Sequence, residues 1–226
     1  MVSAMDLLDD AIAELEARLN LKPGQPISTQ KPAAAKAPKK KAPKPAKAAA
    51  PANNMDQPDI CKLEFKVGVI TKVWVHEKAD KLYCEEIDVG EATPRQIASG
   101  LRPHFSLEQM LGQRLLVMAN LKPKNLVGFK SHGMVLCAAE TLPDGSEKVE
   151  FVEPPAGAAV GEVVTFDGLP KPEPISAAQV DKKKVLQAVA DGMKTTEDCV
   201  AVYETHKFMT SAGPCTVKTI KGGALR

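Results

Sequence analysis

The sequence predicts a mainly β fold, a small five-stranded barrel with a C-terminal α+β addition, set behind a helix and an unstructured basic linker. Three observations carry this. From about Pro58, short apolar or alternating runs recur between turn residues. One short helix falls between the third and fourth of these runs. Ahead of them lies a stretch made almost entirely of Lys, Pro and Ala, which cannot bury enough surface to offset the entropy of ordering it.

Composition sets the bounds. The chain has 226 residues, 44% hydrophobic and only 4% aromatic, with a single tryptophan, Trp74. A net charge of +2 conceals a sorting of charge along the chain: residues 1–16 carry −5, 17–55 carry +9, and 56–226 carry −2. A basic arm beside a near-neutral body suits a polyanionic partner, although lysine also serves simply to keep a linker solvated. The five cysteines, Cys61, Cys84, Cys137, Cys199 and Cys215, contain no CxxC pair. They read as small buried hydrophobes in a reducing compartment, not as metal ligands or disulfide partners. No apolar run reaches the roughly 18 residues of a membrane span, and no secretory or transit pattern opens the chain. A cytoplasmic protein that does not enter membranes is expected.

Residues 3–19 read as an amphipathic helix. Ser3 and Asp6 resemble a capping box, and Met5, Leu8, Ile12, Leu15 and Leu19 recur at alternating steps of three and four. So short a helix is marginal alone in water, so it is expected to dock: on a partner protein by preference, otherwise on a second copy or on the body of the chain. Residues 21–56 are the linker, extended by its prolines to a reach on the order of 100 Å.

Leu63–Val75 is the first strand, with Phe65, Val67, Val69 and Val73 on one face and Glu64, Lys66 and Lys72 on the other. His76–Lys81 is a polar turn, and Leu82–Val89 and Arg95–Ser99 are strands. Ser106 caps a short helix over Leu107–Leu111 that Gly112 closes. Strands follow at Arg114–Asn120 and Met134–Ala139. Five strands with one small helix between the third and fourth is the order of an OB-fold barrel, whose open face and loops serve as ligand sites.

The loop joining the last two strands carries the chemistry. Between Ala119 and Ala138 lie Asn120, Lys122, Pro123, Lys124, Asn125, Gly128, Lys130, Ser131, His132 and Gly133, with three lysines and no acid. A polar, cationic loop held at both ends by sheet suits an anion, and a phosphate chain is the commonest polymeric one. Asn120 and Ser131 can donate to phosphate oxygens or a 2′-hydroxyl. Lys72, Lys78, Lys81, Arg95 and Arg102 add charge to the same side of the barrel. Phe105 and Phe129 are the only aromatics expected near it, so reading of RNA shape and backbone is favoured over base identity. Phe129 and Met134 read more simply as core. The scattered histidines lack metal spacing, Lys182–Lys184 read as a solvated helix start, and the nine acids of 140–181 read as a face turned away from RNA.

These residues carry a resemblance. EFKVGVITKVWVHEKADKLYCEEIDVGEATPRQIASGL and LEQMLGQRLLVMANLKPKNLVGFKSHGMVLCA resemble the tRNA-binding domain of the endothelial monocyte-activating polypeptide II family. DKKKVLQAVADGMKTTEDCVAVYETHKFMTSAGPCTV resembles the extension of that family's eukaryotic auxiliary proteins, which mimics the dimer interface of bacterial relatives. The resemblance implies domains at 57–165 (OB fold) and 166–226 (extension), after the helix of 1–20 and the linker of 21–56. It implies tRNA contacts by Asn120, Lys122, Ser131, Met134, Arg95 and Ser99. A lysine and an arginine of the family pattern fall on Asn125 and Val127, with Lys124 and Lys130 restoring the charge. The family's His-Pro turn becomes His76–Glu77.

No nucleotide-binding glycine loop, nucleophile–base pair or carboxylate dyad stands in the sequence. The expectation is a non-catalytic tRNA-binding cofactor without a prosthetic group. It would deliver or retain tRNA for aminoacyl-tRNA synthetases in a multi-protein complex, attached to them through the N-terminal helix, with self-association through residues 3–19 as the other use of that helix. Two alternatives are an interaction scaffold with weakened RNA binding and a released cytokine-like polypeptide.

Overall fold

The structure, a computed structural model, describes residues 56–226; the helix expected over 3–19 and the basic linker lie outside them. A 3-10 turn, Asp59–Lys62, leads into β1 (Phe65–Val75), β2 (Tyr83–Asp88) and β3 (Arg95–Ser99). Helix α1 (Leu107–Met110) follows, then β4 (Arg114–Met118). The short pair β5 (Lys124–Leu126) and β6 (Phe129–Ser131) precedes β7 (Met134–Thr141) and β8 (Glu147–Phe151). The rest comprises β9 (Thr165–Phe166), α2 (Ala177–Lys182), α3 (Val185–Ala190), β10 (Met193–Thr195), β11 (Ala201–Tyr203), β12 (His206–Thr210), β13 (Gly213–Pro214) and β14 (Ala224–Leu225).

All strand pairs are antiparallel, and the central order is β7-β4-β1-β2-β3. No β3–β7 ladder closes the sheet. In its place His132 donates its amide to the Gln96 carbonyl at 2.8 Å, and the Ala98 amide donates to Ser131 Oγ at 3.1 Å. At α1 the expected capping box forms, the Ser106 hydroxyl accepting from the Gln109 amide and the Gln109 side chain accepting from the Ser106 amide.

Two apolar cores lie on opposite faces of the β7-β4-β1 layer. One holds Ile70, Ile87, Ile97, Met110, Leu115, Val117, Val135 and Cys137. The other joins Phe65, Val67, Leu116, Met118, Leu136 and Ala138 to the C-terminal residues Phe166, Val180, Val189 and Phe208. This explains the unbroken runs Leu115–Met118 and Val135–Ala139, which are buried on both faces. β14 pairs with both β10 and β7, so the C-terminal strands continue the central sheet.

The single apolar face expected for β1 is corrected. Gly68 and Ile70 are buried, Val69 is only half-buried, and the pairing slips between Ile70 and Lys72. A bulge inserts Thr71 and exchanges the faces beyond it, leaving Val73 toward the core and Lys72 and Trp74 on the outer face. Lys182–Lys184 are likewise not a helix start. Lys182 ends α2, and Lys184, at φ 53°, is the N-cap in front of α3, so the three bridge two short helices.

Candidate nucleic-acid interface

The loop after β4 is built by its own backbone logic. Leu126-Val127-Gly128-Phe129 form a two-residue hairpin turn in which Val127 has φ 51° and Gly128 φ 93°. Both central residues are left-handed, the primed turn that matches strand twist and favours Asn-Gly. Asn125 completes it, accepting the Gly128 amide on Oδ1 at 2.7 Å. Register places Lys130 opposite Asn125 and Lys124 opposite Ser131.

Arg95 pins both ends of this loop. Its Nη1 donates to the carbonyls of Ala119 and His132, while Nε and Nη2 donate to the Glu91 carboxylate at 2.8 and 2.6 Å. Those hydrogen bonds from Arg95, aided by Lys66, hold the Glu91 carboxyl down at about 2. The cavity of about 400 Å³ beside Arg95, Glu91, Leu121 and His132 therefore presents a neutralised pair, not a bare cation.

Asn120 is engaged within the fold. Its Nδ2 donates to the carbonyls of Lys62 and Ile175 at 2.8 and 3.0 Å, and its Oδ1 accepts from the Glu64 amide at 2.8 Å. Ser131 is 3% exposed; its hydroxyl accepts from Ala98 and donates to the Gly133 carbonyl. Both expected phosphate donors thus have their protons committed to backbone oxygens. Ser99 donates to the buried carboxylate of Glu85, and Met134 is half-buried against the second core. These residues, with Arg95, shape the loop from beneath.

The lysines divide. Lys122 meets Asp181 of α2 at 2.6 Å, so one acid of 140–181 faces the loop. Arg102 lies 3.9 Å from Asp80, and Lys72 3.5 Å from Glu86. Lys78, Lys81, Lys124 and Lys130 are exposed and have no carboxylate within 4.0 Å among the described residues. The turn bearing Lys78 is held without the family's proline: the ring Nδ1 of buried His76 accepts the Lys78 amide at 3.1 Å, and the His76 amide donates to Leu82.

The structure also gathers aromatic residues that the sequence pattern does not bring together. Phe129 stands edge-on to Trp74 at 6.0 Å and to His76 at 6.4 Å, and the Lys72 ammonium lies 5.1 Å from the centre of the Trp74 ring. The one signal in the sequence is the spacing of Trp74 two residues from Lys72, which puts both on the outer face of β1. Phe105, the other expected aromatic, instead stacks on Phe151 at 4.4 Å. No cluster among the described residues offers three His, Cys, Asp or Glu side chains to a metal.

Residues 65–163 match the family described as "Putative tRNA binding domain". The chain is 43% identical over 167 residues to the cytoplasmic methionine–tRNA ligase of Arabidopsis thaliana, covering 74% of this chain and 20% of that one. It is 36% identical over 179 residues to the aminoacyl tRNA synthase complex-interacting multifunctional protein 1 of Cricetulus griseus, covering 79% of this chain and 48% of that one. The chain thus spans at most about half the length of these curated relatives. Among solved structures, the C-terminal domain of Plasmodium vivax p43 superposes with a TM-score of 0.67 at 34% identity, over 74% of this chain and 98% of that one. With the pinned cationic loop on a mainly β, antiparallel body, these likenesses establish that the chain belongs to the tRNA-binding domain family, in the endothelial monocyte-activating polypeptide II group.

Proposed function

We propose that the chain is a non-catalytic cofactor that holds tRNA for aminoacyl-tRNA synthetases, reading the RNA by its sugar–phosphate surface. The observation that carries the reading is the set of four exposed lysines, Lys78, Lys81, Lys124 and Lys130, which have no acidic partner among the described residues, two of them on a loop that Arg95 and Asn120 hold from below. Partnerless cations are the ones free to displace counterions from phosphate. In this reading Lys72, Lys122 and Arg102 exchange a carboxylate for a phosphate on binding, and Asn120, Ser131, Ser99, Arg95 and Met134 act by positioning. The five central strands serve as an OB-type barrel over 57–165, and residues 166–226 form the extension packed on it. The basic linker raises the encounter rate and non-specific affinity, and the helix of 3–19 attaches the protein to cytoplasmic synthetases. The relative's name, a synthetase complex-interacting protein, supports that setting.

A tRNA gel shift across a salt series tests this. Lys124→Glu with Lys130→Glu, in the full chain and in one lacking residues 17–55, is expected to cut affinity tenfold or more in both. The log–log salt slope should fall by about 0.7–0.9 for every phosphate that is no longer neutralised. Undiminished binding by the double variant lacking the linker would place the RNA elsewhere on the body, whereas no binding by the unsubstituted chain lacking the linker would favour the scaffold reading.

A further inference from the structure

We propose that the cavity between the end of β1 and the tip of the β5–β6 hairpin takes one unstacked base of the bound RNA, with Trp74 as its stacking surface. The inference rests on the tRNA-binding reading and specifies what that face takes besides phosphate. The cavity has a volume of about 280 Å³ and is lined by Trp74, His76, Lys78, Val127 and Phe129, with Glu77 also on its wall. That is just below the roughly 300–1,000 Å³ of drug-sized ligand sites, a size suited to a single planar heterocycle.

Trp74 belongs to neither apolar core, although it is the largest side chain in the molecule. The β1 bulge turns it outward, half-buried, and Lys72 lies over its ring. An aromatic ring with a cation across it and no core to fill is the pairing that single-stranded RNA sites use: base on ring, phosphate on ammonium. A base arriving on that ring would release the Lys72 ammonium to the adjacent phosphate, with Lys78 beside the cavity as a second cation. Val127 closes the other side. It is 55% exposed and held at φ 51°, a conformation that β-branched residues rarely adopt. Its isopropyl group therefore stands at the cavity edge as apolar surface without a partner. The Glu77 carboxylate keeps phosphate out of the cavity itself and offers an acceptor to an exocyclic amine.

Because Trp74 is the only tryptophan, emission from the intact chain reports on this site alone. The full-length protein is titrated with unfractionated tRNA and with a blunt-ended RNA duplex that has no unpaired base. The expected result is that tRNA quenches the emission by about half while the duplex binds with little change, since only an unstacked base reaches the ring. Trp74→Leu should weaken tRNA binding about tenfold with an unaltered salt slope, and Trp74→Phe should restore it to within about threefold, because stacking is removed and regained while the phosphate contacts stay as they are. Equal quenching by the duplex, tRNA binding without any emission change, or wild-type affinity in Trp74→Leu would each overturn the stacking site while leaving tRNA binding in place. Failure of tRNA to bind at all would overturn both.

Discussion

Asn120 and Glu85 illustrate how individual side chains hold the loop and the sheet beneath it through partners within the fold. The three hydrogen bonds of Asn120 tie the end of β4 to the turn before β1 and to the segment entering α2. Asn120→Ala leaves three backbone groups without partners. It should cost about 3 kcal/mol, read as a lower urea midpoint, with weakened tRNA binding as a secondary effect. Loss of RNA binding at unchanged stability would instead make Asn120 a direct contact. Glu85 is fully buried on the inward face of β2, takes one hydrogen bond from Ser99, and has Oε2 unpartnered. Burial pushes its carboxyl up from the usual 4.5 to about 7. Since the folded value lies above the unfolded one, the native state holds this proton longer. Stability is therefore undiminished below about pH 4.5 and is lost as pH rises toward 7, by about 3 kcal/mol in all. Glu85→Gln abolishes that loss. Urea titrations at pH 4.5 and 8 should show the variant gaining about 3 kcal/mol on the wild type between the two conditions; a constant difference would mean the carboxylate ionises freely inside the fold.

At the level of elements, the β5–β6 hairpin carries a local conflict. Its turn geometry requires two left-handed residues, and Gly128 meets that demand while Val127 does not. Val127→Asn should raise stability by about 1 kcal/mol, because asparagine tolerates this backbone and little buried apolar surface is given up. Thermal unfolding of the pair of proteins decides it, and a lower midpoint for the variant would show that packing of the isopropyl group outweighs the strain. Val127 also marks where local sequence signals stop. Five strands and α1 are legible within one or two residues at most ends, because alternation, Ser106 and the glycines signal locally. The hairpin is legible only as a loop, since Val127 hides the turn that Asn-Gly would have announced. The bulge at Thr71 is illegible for a different reason. It is defined by pairing with Glu86 across the sheet, and nothing in the local sequence fixes that register. The site follows the same rule: the lysines can be identified from composition, whereas the internal commitments of Asn120, Ser131 and Arg95 depend on partners distant in the chain.

Across the whole described body, the decisive feature is that the β7-β4-β1 layer is buried on both sides. Phe65, Val67, Leu116, Met118, Leu136 and Ala138 share a core with Ile60, Cys61 and Leu63 from the turn before β1 and with a larger set that follows position 151, among them Phe166, Val180, Val189 and Phe208, and the three phenylalanines meet edge-on at 4.9 to 6.0 Å. A layer of that kind cannot present its second face to water as an ordinary antiparallel sheet does. Deleting residues 166–226 would bare a contiguous apolar patch of the kind that drives association. It would also remove the β7 partner β14, the Ile175 carbonyl that Asn120 uses, and the Asp181 partner of Lys122. The shortened chain is therefore expected to leave the monomer peak in light scattering, as a dimer or as larger assemblies, and to lose tRNA affinity even though Lys78, Lys81, Lys124 and Lys130 are retained. A monomer that unfolds within a few degrees of the full chain and binds tRNA equally well would show that the second core supports neither the sheet nor the loop.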